Sequence, residues 1–105
     1  MAKRVYNKLV RDKIPGIVKT NGSTPITRAL DDQEFLEALN KKLVEEMEEY
    51  LESYDVEELA DIYEVLLAIL DIRNISIDEF EKIRYHKIQE RGNFQNKVFL
   101  ISVEE

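Results

Sequence analysis

Apolar residues recur at helical spacing over two long stretches and part of a third. Phe35, Leu36, Leu39, Leu43, Met47, Tyr50 and Leu51 fall on one stripe. They predict a helix from residue 31 or 32 to about residue 53, with Asp31 and Glu34 at the spacing of a capping box. A second helix is expected from about residue 56 to residue 72, with Asp55 as its cap. It is apolar nearly all round, as expected of a helix at the centre of a bundle. The third starts at Ser76, spaced from Glu79 as in a capping box, and ends near Gly92 as a C′ glycine. Ahead of these lies a basic head, residues 1–22, with a short apolar pattern at Leu9, Val10, Ile14, Ile17 and Val18. Pro15 and Gly16 weaken any helix there, and Asn21-Gly22 reads as a turn. Residues 24–29 and 97–103 read as extended and are candidates to pair. The expected fold is all-α: one helical bundle over residues 1–105, with a basic N-terminal segment and a short extended C-terminal tail.

Composition narrows the chemistry. The chain has 105 residues, 44% of them hydrophobic and 35% charged, and a net charge of -7. An acidic protein of this size is a poor partner for a nucleic-acid polymer, whose phosphates need a basic surface. Any phosphate it handles calls for a mediating cation. It contains no cysteine, which excludes disulfides, thiol catalysis and zinc-thiolate sites. The N-terminus shows no signal peptide, and the longest nearly apolar run, residues 62–72, holds Glu64 and Asp71 and is too short to span a membrane. A cytoplasmic protein is the expectation.

The acidic residues are not spread evenly. The first long helix carries Glu45-Glu46-Met47-Glu48-Glu49 and the second Glu57-Glu58-Leu59-Ala60-Asp61. Glu46 with Glu49, and Glu58 with Asp61, stand three residues apart, about one turn on the same helix face. At about 100° per residue, Glu46 lies about 60° from Leu43, on the edge of the apolar stripe, with Glu49 just beyond it. Glu45, Glu48 and Glu52 point to the opposite side. Glu58 and Asp61 share the arc of Val65, Ile69 and Ile72. In an antiparallel hairpin turning between Ser53 and Tyr54, Glu49 is as far from the turn as Glu58, and Glu46 as far as Asp61. Four carboxylates then converge between two packed helices.

Such a cluster repels itself in a groove of low dielectric and must either protonate or bind a hard cation. Magnesium and manganese take oxygen ligands, and magnesium is commonly held by carboxylates together with substrate phosphates. Four carboxylates suit one ion with outer support, or two. One i,i+3 acidic pair is ordinary on a solvated helix, and a capping box with Asp55 alone would account for Glu58. Two pairs mirrored across a turn, both on faces that lean inward, are not ordinary.

Glu45-Glu46-x-x-Glu49 followed by Glu58-x-x-Asp61 resembles the signature of the all-α nucleoside triphosphate pyrophosphatases, which include MazG, the dimeric dUTPases and phosphoribosyl-ATP pyrophosphohydrolase. Tyr6-Asn7-Lys8-Leu9-Val10-Arg11-Asp12-Lys13-Ile14-Pro15 and Lys87-x-x-Glu90-Arg91-Gly92-x-Phe94 narrow the likeness to small MazG-like proteins of house-cleaning type. The resemblance covers nearly the whole chain. It implies Glu46, Glu49, Glu58 and Asp61 as ligands of Mg2+, with Mn2+ as a substitute. Glu45 would be an outer member that assists or activates water. The eight residues between Glu49 and Glu58 are fewer than in many members.

A triphosphate also needs cationic groups. Lys87 and Arg91 continue the stripe of Phe80 and Ile83 on the third helix, with Arg84 at its edge; helix-dipole preference and snorkelling would also place them there. Lys8 and Arg11 in the basic head are the other phosphate-binding candidates. Lys42 shares the helix edge of Glu46, where an i,i+4 pair explains it equally well. His86 lies off the basic stripe and reads as a surface or interface residue. Tyr50, Tyr54 and Phe94 are candidates to stack on a base, Tyr50 fitting the core better. The expected activity is hydrolysis of nucleoside triphosphates to a monophosphate and pyrophosphate by a homodimer or homotetramer, since the second helix is too apolar for a three-helix monomer. Phosphoribosyl-ATP hydrolysis and a non-catalytic helical interaction module are the competing readings.

Overall fold

The computed structural model describes residues 2–105, and among them it is all-α: four helices and no strand. The chain forms two compact units, Met1–Asn74 and Ile75–Glu105. The first contains α1 (Ile14–Thr20), α2 (Asp32–Ser53) and α3 (Val56–Ile72); the second contains α4 (Ile77–Arg91).

The capping expected from the sequence sets the start of α2. Asp31 Oδ1 accepts from the Glu34 amide at 2.8 Å, and the Asp31 amide donates to Glu34 Oε1 at 3.3 Å, closing the capping box. Arg28 holds Glu34 in place at 2.9 Å. α2 stops at Tyr54, whose backbone is left-handed (φ 57°), a conformation costing a non-glycine residue roughly 1–2 kcal/mol. Its amide reaches the Tyr50 carbonyl at 2.7 Å and its ring meets that of Tyr50 edge-to-face at 6.1 Å. Only Tyr54 and Asp55 separate α2 from α3. So short a link folds the two helices back antiparallel, and they pack against each other along the hairpin.

The apolar core of this hairpin is small. Leu39 on α2 and Val65 and Leu70 on α3 are its buried apolar side chains among the described residues. Here α3 departs from expectation: it is covered along one stripe, while Val56, Leu59 and Tyr63 stay exposed. One neighbouring helix shields only one side of a cylinder, so an all-apolar helix cannot be buried by a hairpin alone.

Two further expectations are corrected. Residues 14–20 are helical despite Pro15 and Gly16, because Pro15 sits in the first turn, where amides have no intrahelical acceptor to lose. Residues 24–29 and 97–103 form no strand, so the suggested pairing is absent. In the second unit Ser76 caps α4 by accepting from the Glu79 amide at 3.1 Å. Gly92 ends α4 with φ 81°, standing at the cap position itself rather than one residue beyond. Among the described residues no helix is long and apolar enough to cross a membrane.

Candidate functional site

The turn-proximal part of the α2–α3 hairpin gathers the acids. Glu46, Glu58 and Asp61 each place a carboxylate oxygen within 4.8 Å of the other two. Glu46 comes from α2 about two turns before its end; Glu58 and Asp61 come from the first turns of α3. Glu49, half-buried, stands beside this trio closely enough to act electrostatically on both Glu46 and Glu58. All four acids expected to converge are therefore near one another, three of them most tightly.

Glu46 is 6% exposed, more buried than any described residue except Leu39. Burial pushes its carboxyl above the usual carboxylate range; Lys42 pulls it down, and the Glu49 charge raises it again. Glu58 is likewise raised, first by desolvation and then by Glu49, Asp61 and Glu46. Glu46 Oε2 and Glu58 Oε2 are buried without a hydrogen-bond partner. Such orphaned oxygens are uncommon, because each forfeits its hydration for nothing in return. The capping explanation for Glu58 fails here: Asp55 caps α3 through the Glu57 amide at 3.3 Å, and the Glu58 side chain is left facing the acids.

Three cations line the cluster. Lys42 Nζ lies 3.2 Å from Glu46 Oε1 and 3.6 Å from Glu45 Oε1, the i,i+4 and i,i+3 neighbours expected of one helix face. Two more come from the N-terminal segment, far away in sequence. Arg11 Nη2 is 2.7 Å from Asp61 Oδ1, and Lys8 Nζ is 3.3 Å from Glu45 Oε1. Lys8 and Arg11, proposed from sequence as phosphate ligands, are thus brought to the acidic cluster, and their present partners are its carboxylates. Their pairing with Glu45 and Asp61 was not foreseen. Its signal was the charge contrast between a basic head and an acidic hairpin.

The other expected cations lie on α4 in the second unit. Lys87 and Arg91 are exposed there, and Arg84 is paired to Glu81 at 2.7 Å. His86 makes an i,i+4 contact with Glu90 at 2.8 Å. Phe94 is exposed, as is Tyr54, while Tyr50 is half-buried.

The donor set fits a hard divalent cation: three carboxylates, no nitrogen and no sulfur. Their oxygens, all within 4.8 Å of one another, are the groups that would hold such an ion. The two orphaned oxygens would then have a partner.

A stretch of 42 residues is 48% identical to part of a protein of Mycolicibacterium smegmatis described only as an uncharacterized protein. That stretch is 40% of this chain and 43% of the other, less than half of either. No family model and no solved structure matches the chain.

Proposed function

We propose that the chain is a magnesium-dependent pyrophosphohydrolase of nucleoside triphosphates, acting in the MazG-like manner its sequence resembles, with manganese able to substitute. The observation that carries this reading is the buried pair of partnerless carboxylate oxygens, Glu46 Oε2 and Glu58 Oε2, within a cluster of oxygen donors. Folding leaves them desolvated and self-repelling, an arrangement that a hard cation relieves and that a purely structural role does not explain.

Glu46, Glu58 and Asp61 would hold the ion, with Glu49 as fourth ligand or outer support. When bound, the ion would supply positive charge against the phosphates. Lys8 and Arg11, paired with Glu45 and Asp61, would take further phosphate oxygens, and Lys87 and Arg91 are the other candidates. Glu45 stands at the rim on Lys42 and Lys8 and is the group proposed to accept a proton from the attacking water. Water adds to phosphorus, a phosphoanhydride bond breaks, and pyrophosphate leaves from the nucleoside monophosphate.

The exposed apolar residues of the hairpin, among them Met47, Leu51, Leu59 and Tyr63, support a homodimer or homotetramer. They also suit a non-catalytic interaction module, but that reading leaves the orphaned carboxylates unexplained. The test is product analysis on a panel of ordinary and modified triphosphates with magnesium or manganese. Pyrophosphate and a monophosphate are expected; orthophosphate and a diphosphate as sole products, or no turnover, overturn the proposal.

A further inference from the structure

Two of the three cations at the acidic cluster differ in kind from the third. Lys42 belongs to α2, its side chain is 16% exposed, and it touches both Glu45 and Glu46. It is a fixed part of the helix face. Arg11 and Lys8 belong to a segment without regular structure that precedes α1. Their side chains are 57% and 43% exposed, and each reaches the cluster through one carboxylate oxygen. Exposed single-contact ion pairs are weak and easily exchanged. Apart from the half-buried Leu9 and the Arg11 carbonyl, which accepts from the Ile14 amide at 3.0 Å, the described part of the segment has no ladder or helix hydrogen bonds to hold it.

Arg11 grips Asp61, one of the three residues that converge on the candidate cation site. Its guanidinium thus neutralises a carboxylate that a divalent ion would also claim. A dication held by Glu46, Glu58 and Asp61 would bring further positive charge to the carboxylate that the guanidinium already neutralises. The two positive charges compete for the same carboxylate. The dication also withdraws the negative field that holds Lys8 against Glu45.

We propose that the N-terminal segment is a cation-released strap: Arg11 and Lys8 close it on Asp61 and Glu45, and a divalent cation at Glu46, Glu58 and Asp61 opens it. The inference rests on the reading of these carboxylates as a cation site. Its consequence is a handover. The cations that quiet the acids in the metal-free protein become free for an anionic ligand once the dication has arrived, so charge is never left uncompensated. By linkage, a strap that the cation opens must itself weaken cation binding by the same factor.

The experiment uses the full chain and magnesium or manganese chloride alone, without nucleotide. Calorimetric titration compares wild type, Arg11→Gln, the double variant Lys8→Gln/Arg11→Gln, and Lys3→Gln as a control that removes one charge elsewhere in the same segment. Arg11→Gln should bind the cation about 1.5-fold to fivefold more tightly, the double variant at least as tightly, and Lys3→Gln like wild type. In parallel, limited trypsin digestion is followed at the Lys8–Leu9 and Arg11–Asp12 bonds, relative to Lys97–Val98 in the same reaction. Magnesium should speed cleavage at the first two relative to the third. Equal gains in Arg11→Gln and Lys3→Gln would mean general electrostatics and overturn the strap. So would unchanged or weaker binding in Arg11→Gln, which would make Arg11 a support for Asp61, or cleavage ratios that ignore magnesium. Each of these leaves the cation site standing. Absence of any cation binding by wild type removes the site and the strap together.

Discussion

The two ends of the α2–α3 hairpin are built from the same helices, in the same register, yet they do opposite things. Far from the turn, Leu39, Val65 and Leu70 are buried against apolar neighbours and hold the helices together. Near the turn, the same interface carries Glu46, Glu49, Glu58 and Asp61, which repel one another and leave two oxygens without partners. One end gains free energy by leaving water; the other loses it. The buried distal end, the two-residue turn and the neighbouring cations Lys8, Arg11 and Lys42 oppose that repulsion. The acidic end is thus a place where stability is given up, as expected where a site is built to bind something.

The sharpest way to break the comparison is to neutralise an acid while keeping its shape. On the proposed function, Glu58→Gln and Asp61→Asn should lower pyrophosphate release by at least about a hundredfold, since each would remove a ligand charge from the cation site. Metal-free Glu58→Gln should melt no lower than wild type, because one repelling charge has gone, whereas Asp61→Asn also gives up its ion pair with Arg11. Retained turnover with an unchanged manganese-induced melting shift would show that the site is misplaced. At the distal end the expectation is reversed. Leu39→Ala should cost about 2–4 kcal/mol in urea unfolding, from lost transfer energy and the cavity left behind, at any metal concentration. A cost under about 1 kcal/mol would mean that the hairpin core lies elsewhere.

Much of this contrast could be read from the sequence. The helix spans came from caps and periodicity: Asp31 with Glu34, Asp55 and Ser76 each satisfy amides that only a helix start leaves open. The convergence of Glu46, Glu58 and Asp61 followed from helical geometry and the symmetry of the turn, both local properties. What was illegible is non-local or negative. Arg11 meeting Asp61 spans fifty residues, and no periodicity links them. The suggested pairing of residues 97–103 with residues 24–29 is absent, because β propensity alone does not supply a partner strand. The helix at 14–20 was hidden by a proline that in fact stands where helices tolerate it.

Cation binding should sharpen the contrast further by reversing the sign of the acidic end. If the ion binds the folded chain alone, magnesium at about a hundred times its dissociation constant adds roughly 2.7 kcal/mol. For a domain of this size that is a melting shift on the order of 10 °C. Leu39→Ala should keep the shift, although from a lower starting temperature, and Glu58→Gln should lose most of it. A shift of equal size in all three proteins would place the binding site away from the acids.

The smallest expected effect is the pH dependence of the metal-free protein, and its sign is diagnostic. Glu46 and Glu58 both have folded-state pKa values raised above the ordinary 4.5 of a glutamate, chiefly by desolvation. A carboxyl raised in this way holds its proton more tightly folded than unfolded. Its unfavourable contribution is complete above the folded value and disappears as pH falls through that value to 4.5. These two groups therefore make the metal-free hairpin more stable at mildly acid pH than at neutrality. Glu34 and Glu81 work the other way: Arg28 and Arg84 hold them below 4.5, so their contribution is lost only as pH falls beneath that point. Both are exposed pairs, screened by solvent, and their window lies below that of the acidic cluster. Melting in chelator should thus rise as pH falls from neutrality toward 4.5. Saturating magnesium should flatten or invert the slope, because binding needs the charged form. Glu46→Gln should reduce the rise in chelator by removing one of the two raised groups. A metal-free melting temperature that instead climbs from pH 4.5 to neutrality would mean that the cluster is already neutralised by Lys8, Arg11 and Lys42, and that the near end of the hairpin carries no strain for a cation to relieve.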